Sequence, residues 1–405
     1  MKETLKGNAI IGQSGGPTCV INQSLIGAVK EALAHKEIAR VYGALHGIQG
    51  VLGQDIVDLS AESPETLELV ARTPSAALGS VRKKPTPQEC ETVFKICQAH
   101  DIRYLFYIGG NDSAETASII DGLARNTDYE LRVCHIPKTI DNDLLVTDHC
   151  PGYGSAARFV ALALMGDDLD NRSIKGVKIN VIMGRHAGFL TAAAGLGRRN
   201  EDDGPHLIYV PEVPFSVDKF CADVDSCLKK WKRCVVAVSE GVQGPDGNPI
   251  MTSGERDSHG NVQLSGTGAL GDFLAQQIKN KLGVSRVRAD TFGYLQRSFP
   301  TIVSEVDARE AREIGAFAVR QMVTGEQRSG SAAIRRLTGK GRYSCEYILT
   351  ELSSVAKNTR SLDAHFIAAS QADFTPAFQE YASPLVGELP RMGRFRCKPV
   401  PKKQL

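Results

Sequence analysis

Short apolar runs, each stopped by glycine or proline and followed at once by a polar side chain, recur along this chain and leave few folds open to it. Gly15, Gly110, Lys138, Arg185, Glu240 and Arg297 all stand at or just past the end of such a run. Helical periodicity alternates with these runs, which predicts strand–helix units, parallel sheets and helices on both faces. In open α/β sheets, ligands bind at the carboxyl ends of the strands. Two such sheets with those edges facing one cleft would gather these groups in one place. At 405 residues the chain is too long for one small core and suggests two domains or lobes.

The densest chemistry follows the run Leu131 to Ile136, read as a buried strand. Pro137-Lys138-Thr139-Ile140-Asp141-Asn142-Asp143 leaves its end with two carboxylates, a hydroxyl and an ammonium. Pro137 stiffens the exit and disfavours helix at the residue before it. A carboxylate beside a hydroxyl and a cation is what phosphoryl transfer to an alcohol requires. The plainer reading is a polar turn whose acids cap a helix.

Other strand ends add to this. Asn8 to Ile11 runs into Ser14-Gly15-Gly16, before a helix expected from about Thr18 to Leu33. Glycines at a helix N-terminus make a candidate anion site. Val41 to Leu45 reads as a strand and Gly47 to Gly53 as a loop. Arg82-Lys83-Lys84 precedes a helix, Pro87 to Ala99, and reads as a solvated face or a phosphate clamp. Tyr104 to Ile108 ends in Gly109-Gly110-Asn111-Asp112-Ser113, with a helix expected from about Ala114. Asn111 and Asp112 offer oxygens for Mg²⁺, commonly held by one or two carboxylates plus substrate phosphates; Asp112 or Ser113 could also cap the helix. Later strands end at Met183-Gly184-Arg185, Pro211-Glu212, Glu240 and Phe292 to Arg297. A helix is expected from Gly188 to Gly197. Residues 244–266 read as a loop or hairpin insertion, and Lys398 onward as a frayed tail.

Composition narrows the class. The net charge is +2, and no basic run is interleaved with aromatics, so nothing points to nucleic acid. No apolar stretch is long enough to span a membrane, and the N-terminus lacks an apolar signal core; this predicts a cytoplasmic protein with no membrane partner. The 10 cysteines are scattered, form no CxxC and fit reduced structural thiols. GQSGGP is not the GxGxxG of a dinucleotide-binding oxidoreductase.

Taken together, Ser14-Gly15-Gly16, Gly109 to Ser113, Pro137 to Asp143, Met183 to Arg185, Pro211-Glu212, Glu240 and Tyr294 to Arg297 resemble the 6-phosphofructokinases in order and spacing. The resemblance covers roughly residues 8–320 and is greatest to the pyrophosphate-dependent branch. It implies two Rossmann-like α/β lobes with mainly parallel sheets and the active site in the cleft between them. The donor lobe would comprise 1–152 plus about 298–345, and the sugar-phosphate lobe 153–297 plus about 346–405. It implies reversible phosphoryl transfer from pyrophosphate to the 1-hydroxyl of fructose 6-phosphate, with Mg²⁺, in a homodimer or homotetramer. Asp141 would be the base, with Thr139 and Asp143 framing the transferring group and its metal. Lys138, Gly15, Gly16, Arg82 and Asp112 would serve the donor. Met183, Gly184, Arg185 and Glu240 would hold the sugar, and Arg288, Tyr294 and Arg297 the 6-phosphate. ATP-using relatives read GGDGS and PGTIDND, where this chain has Asp112 and Lys138 in place of glycines. The alternatives are an ATP-dependent 6-phosphofructokinase, or a non-catalytic paralogue that binds sugar phosphate.

Overall fold

In a computed structural model of the chain, residues 5–251, 268–337, 343–356, 358–395, 397 and 400–403 are described. The first sheet holds β1 (Gly7–Gln13), β2 (Ile38–Ala44), β3 (Ile56–Asp58), β4 (Ile102–Gly109), β5 (Arg132–Pro137), β10 (Ser329–Arg336) and β11 (Cys345–Thr350). Their spatial order is β11-β10-β5-β4-β1-β2-β3. All neighbours run parallel except β2 with β3 and β10 with β11. From β1 the chain winds outward to β2 and then back past β1 to β4. The loops after β1 and β4 therefore diverge and leave a crevice at the strand ends.

Alternate side chains along these strands enter different cores. Ala9, Ile11, Tyr104 and Phe106 pack against α1 (Ile21–Leu33), α3 (Pro64–Arg72) and α11 (Glu305–Thr324). Ile10, Leu105 and Tyr107 pack against α2 (Ile48–Gly53), α4 (Pro87–Ala99) and α5 (Asn111–Arg125). Burial on both faces explains why the strands read as unbroken apolar runs. The helices α1 and α11 approach so closely that a Cβ on Gly27 would lie 2.0 Å from the Arg312 carbonyl oxygen, and one on Gly315 would lie 2.2 Å from that of Ser24.

The second sheet holds β6 (Val177–Ile182), β7 (Leu207–Tyr209), β8 (Cys234–Ser239) and β9 (Val287–Thr291), in the order β7-β8-β6-β9 and all parallel. One face is covered by α6 (Tyr153–Ser173), α7 (Phe189–Ala193) and α13 (Pro376–Val386), the other by α8 (Val217–Trp231) and α9 (Ala269–Leu282). The short helices α10 (Leu295–Ser298) and α12 (Leu352–Val355) complete the set. Among the described residues no helix is long and apolar enough to cross a membrane. All the cysteines are free and most are buried.

Several expectations are corrected. The span 47–53 carries α2 rather than a loop, and α7 is shorter than the expected Gly188 to Gly197 helix. The first sheet extends to Thr350, because β11 pairs with β10; the division expected near 345 falls too early. Residues 324–405, from which no elements were read, supply two strands of that sheet and two helices. Most of the 244–266 insertion lies outside the described residues; what is described includes a turn in which Gly244 N–H donates to the Asn248 carbonyl. The tail from Lys398 is described only at 400–403.

Candidate active site

The strand ends of both sheets open into a cleft of about 870 Å³. All the residues given a catalytic, donor, sugar or metal role line it except Gly184 and Arg288; Lys84 and Glu212 do not line it either.

The first sheet supplies one wall from three loops, each tied to the next. Lys138 N–H and His135 Nε2 both meet the Gly109 carbonyl at 2.9 Å, which links the loop after β5 to that after β4. Ser14 Oγ and Ser113 Oγ hydrogen-bond, linking the loops after β1 and β4. Lys138 is only 3% exposed, and its Nζ donates to the Gly16 carbonyl at 2.7 Å. Thr139 Oγ1 accepts from Asp141 N–H at 3.1 Å, shaping the turn that presents both carboxylates to the cleft.

The expected anion site at Gly15-Gly16 is built differently. Helix α1 begins only at Ile21, so its N-terminus does not follow directly on the glycines. The Gly15 N–H donates to the Val81 carbonyl at 3.1 Å, and Ser80 Oγ donates to the Gly15 carbonyl at 2.5 Å. The glycine turn is therefore strapped to the loop carrying exposed Arg82, and cationic side chains rather than a helix terminus face the cleft. It is α5 that starts at the wall. Its N-cap is Gly110, with no side-chain cap, and Asn111 and Asp112 lie inside its first turn rather than before it. Asn111 Oδ1 accepts from Asp112 N–H at 3.0 Å.

The second sheet supplies the opposite wall. Met183 N–H donates to Gln296 Oε1 at 3.4 Å, and Glu240 N–H to the Ile182 carbonyl at 2.8 Å, which sets the loops after β6, β8 and β9 side by side. Gly184 stands behind this wall. Its φ is +146° and its carbonyl accepts from Ser239 Oγ at 2.5 Å, so it shapes the turn between Met183 and Arg185. The guanidinium of Arg297 lies over the Tyr294 ring, 4.7 Å from its centroid, and reaches across the cleft. A Cβ on Gly16 would come within 3.1 Å of its central carbon. Arg288 does not join it. On the edge strand β9, Val287 points into the core, so Arg288 points to the other side, exposed, bonding the Val287 carbonyl.

Burial and crowded charge tune the groups between the walls. Burial pushes the Lys138 ammonium down to about 7, helped by Arg297 and Arg82 and opposed by Asp141 and Asp143. Burial and then the Glu240 charge raise Asp141, against Arg297, Lys138 and Arg185. Asp143 is raised to about 6 by burial and by Asp141. Two half-buried carboxylates and a depressed lysine on one short loop form the pattern typical of acid–base chemistry. Asn111, Asp112 and Asp143 line the same wall of the cleft, and side-chain oxygens are the donors a hard cation such as Mg²⁺ takes.

Tyr107, His186, Ser298 and Thr359 also line the cleft and were not anticipated. Tyr107 sits within an apolar strand and His186 directly follows Arg185, so position relative to a strand end could have flagged both. Thr359 belongs to the C-terminal segment, where no spacing pattern marked it.

The profile of the phosphofructokinase family matches residues 8–322. The chain is 52% identical over 402 residues to a pyrophosphate–fructose 6-phosphate 1-phosphotransferase of Rhodospirillum rubrum, covering 98% of each chain. It is 37% identical over 395 residues to a protein of that name from Xanthomonas campestris, covering 95% of this chain and 93% of the relative. Its fold is similar to the crystal structure of pyrophosphate-dependent phosphofructokinase from Marinobacter aquaeolei, with a TM-score of 0.85 and 34% identity over 98% of both chains.

Proposed function

Because this chain belongs to the phosphofructokinase family, we propose that it catalyses the reversible transfer of a phosphoryl group from pyrophosphate to the 1-hydroxyl of fructose 6-phosphate. The products are fructose 1,6-bisphosphate and inorganic phosphate. The observation that carries the donor choice is Lys138: a buried ammonium at the Gly16 carbonyl, on the same loop as Asp141. A cation held there neutralises the phosphate that leaves when pyrophosphate is cleaved. Asp112, exposed in the first turn of α5 at the cleft wall, supports the same reading, since a carboxylate there repels the longer phosphate chain of a nucleotide.

In the forward direction the Asp141 carboxylate takes the proton of the sugar 1-hydroxyl. The freed oxygen attacks the near phosphorus of pyrophosphate, and the bond from that phosphorus to the bridging oxygen breaks. The raised affinity of Asp141 for protons makes it a stronger base than an exposed aspartate. Arg82 and Lys138 serve the donor, Arg185 the reacting end, and Thr139 and Asp143 the transferring group. Glu240, with Met183 beside it, holds sugar hydroxyls, and Arg297 with Tyr294 holds the 6-phosphate; a planar guanidinium matches phosphate geometry in each case. Asn111, Asp112 and Asp143 would hold Mg²⁺, which would supply charge neutralisation for the phosphoryl groups. Arg288 has no part in this assignment.

The test is phosphorylation of fructose 6-phosphate by the purified protein with Mg²⁺, comparing pyrophosphate with ATP. Turnover with pyrophosphate alone is expected. Turnover with ATP alone would overturn the reading of Lys138 and Asp112, and inactivity with both would overturn the catalytic reading.

A further inference from the structure

The loop that carries Asp141 and Asp143 is held from outside the 8–322 family match. Arg360 lies in the segment between α12 and α13, next to cleft-lining Thr359. Its main-chain N–H donates to the Asp143 carbonyl at 2.7 Å. Its guanidinium donates to the Asn142 carbonyl from Nη2 at 2.9 Å and from Nε at 3.3 Å. The remaining nitrogen, Nη1, reaches the carbonyls of Thr147 at 3.0 Å and Asp148 at 2.9 Å. The guanidinium lies over the Phe189 ring, its central carbon 4.8 Å from the centroid. One planar side chain thus closes both ends of the turn 142–148.

The turn needs such a brace. Asn142 has a φ of +59° and Val146 a φ of +66°. Asparagine tolerates that region, but a β-branched valine pays about 1–3 kcal/mol there and keeps it only where its surroundings over-determine the backbone. Tyr381, on α13, adds to the brace. Its hydroxyl donates to the Asp148 carbonyl at 2.8 Å and accepts from Asn142 Nδ2 at 2.7 Å.

We propose that Arg360 is a positioning residue for phosphoryl transfer, fixing the catalytic turn through its main-chain carbonyls so that Asp141 and Asp143 face the reacting atoms. The inference rests on the phosphotransferase reading for its kinetic part and on the hydrogen bonds alone for its structural part. Misplacing a reacting group by an ångström costs about 10²-fold in rate, whereas substrate contacts made by other loops survive. Arg360→Ala is therefore expected to lower kcat by about 10²-fold, with KM for both substrates within about threefold of wild type. Guanidinium ion at tens of millimolar, filling the vacated site, should restore at least about tenfold of the lost turnover, which a merely damaged fold would not allow. Hydrogen exchange over residues 139–150 should accelerate, while exchange in β1 and β6 stays as in wild type.

If Arg360→Ala does not fold, Arg360→Lys replaces it: an ammonium cannot span the carbonyls at both ends of the turn, and kcat should fall by about tenfold with KM retained. Wild-type turnover in either variant overturns the proposal, as does a loss confined to KM, or a loss in Arg360→Ala that guanidinium leaves unrestored. Unchanged exchange over 139–150 in the folded variant overturns it whether or not the wild-type protein uses pyrophosphate. Inactivity of the wild type itself, by contrast, strikes only the phosphotransferase reading.

Discussion

Lys138 gives the site a proton-linked response that Lys138→Met should abolish. The ordinary lysine value of 10.5 is lowered to about 7 in the ligand-free cleft, by burial and then by Arg297 and Arg82. At pH 8 such an amine is about one-tenth protonated, and at pH 7 about half. An anionic donor arriving beside it replaces lost solvation with opposite charge and draws the value back up. Binding should then take up about 0.9 proton per site at pH 8, about 0.5 at pH 7, and almost none at pH 6. The assay is titration calorimetry with a methylene-bridged pyrophosphate analogue in buffers of different ionisation enthalpy, comparing wild type with Lys138→Met. The variant subtracts the ligand's own protonation.

The same shift has a stability consequence. A lysine lowered in the folded state binds fewer protons folded than unfolded, so stability rises with pH between about 7 and 10.5. At pH 7 the penalty is on the order of 4 kcal/mol. Removing the charge also forfeits the bond to the Gly16 carbonyl, worth about 1 kcal/mol. Lys138→Met should therefore melt higher than wild type, by up to about 3 kcal/mol, while binding the donor far more weakly. Equal proton uptake in the two proteins, or a variant that melts lower, would refute the reasoning.

Three further outcomes follow from charged groups elsewhere in the fold and the cleft. Asp141→Asn should lower kcat by about 10²–10⁴ with KM for fructose 6-phosphate within about threefold, by steady-state kinetics; near wild-type turnover would remove Asp141 from the reaction. Asp143, raised to about 6 by burial and by Asp141, should titrate near pH 6 in the metal-free protein when followed by carboxyl NMR, and Mg²⁺ should lower that value; a metal-free value below about 5 would refute the reading. His149→Leu should destabilise the fold by about 3–5 kcal/mol in urea titration, since it removes the buried cationic partner of Glu310 Oε2, which lies 2.6 Å from His149 Nε2. Burial opposes the His149 charge, but hydrogen bonds with Asp148 and Glu310 raise its value. That contribution is full below about pH 6.5 and fades as the folded imidazolium loses its proton; a loss under about 1 kcal/mol at pH 6 would refute it.

What the sequence disclosed depended on whether chemistry resided in side chains or in main-chain geometry. Strands buried on both faces read as continuous apolar runs, and the groups that line the cleft come directly after them, so both walls were legible in outline. Arg288 lies outside this chain's cleft because strand alternation turns it away from Val287, a turn that a role carried by resemblance does not reveal. Gly15 looked like a bare donor because nothing in a glycine reveals that its N–H is already taken by the Val81 carbonyl. Arg360 was invisible for the same reason. Its partners are the carbonyls of Asn142, Thr147 and Asp148, which any residues would supply, and it lies more than 200 positions away in the chain. Sequence motifs mark the atoms that react, whereas the groups that hold them at the right distance bond to a backbone that carries no signature. Substitutions at Arg360 therefore separate the two: they leave every motif intact and should still lower turnover.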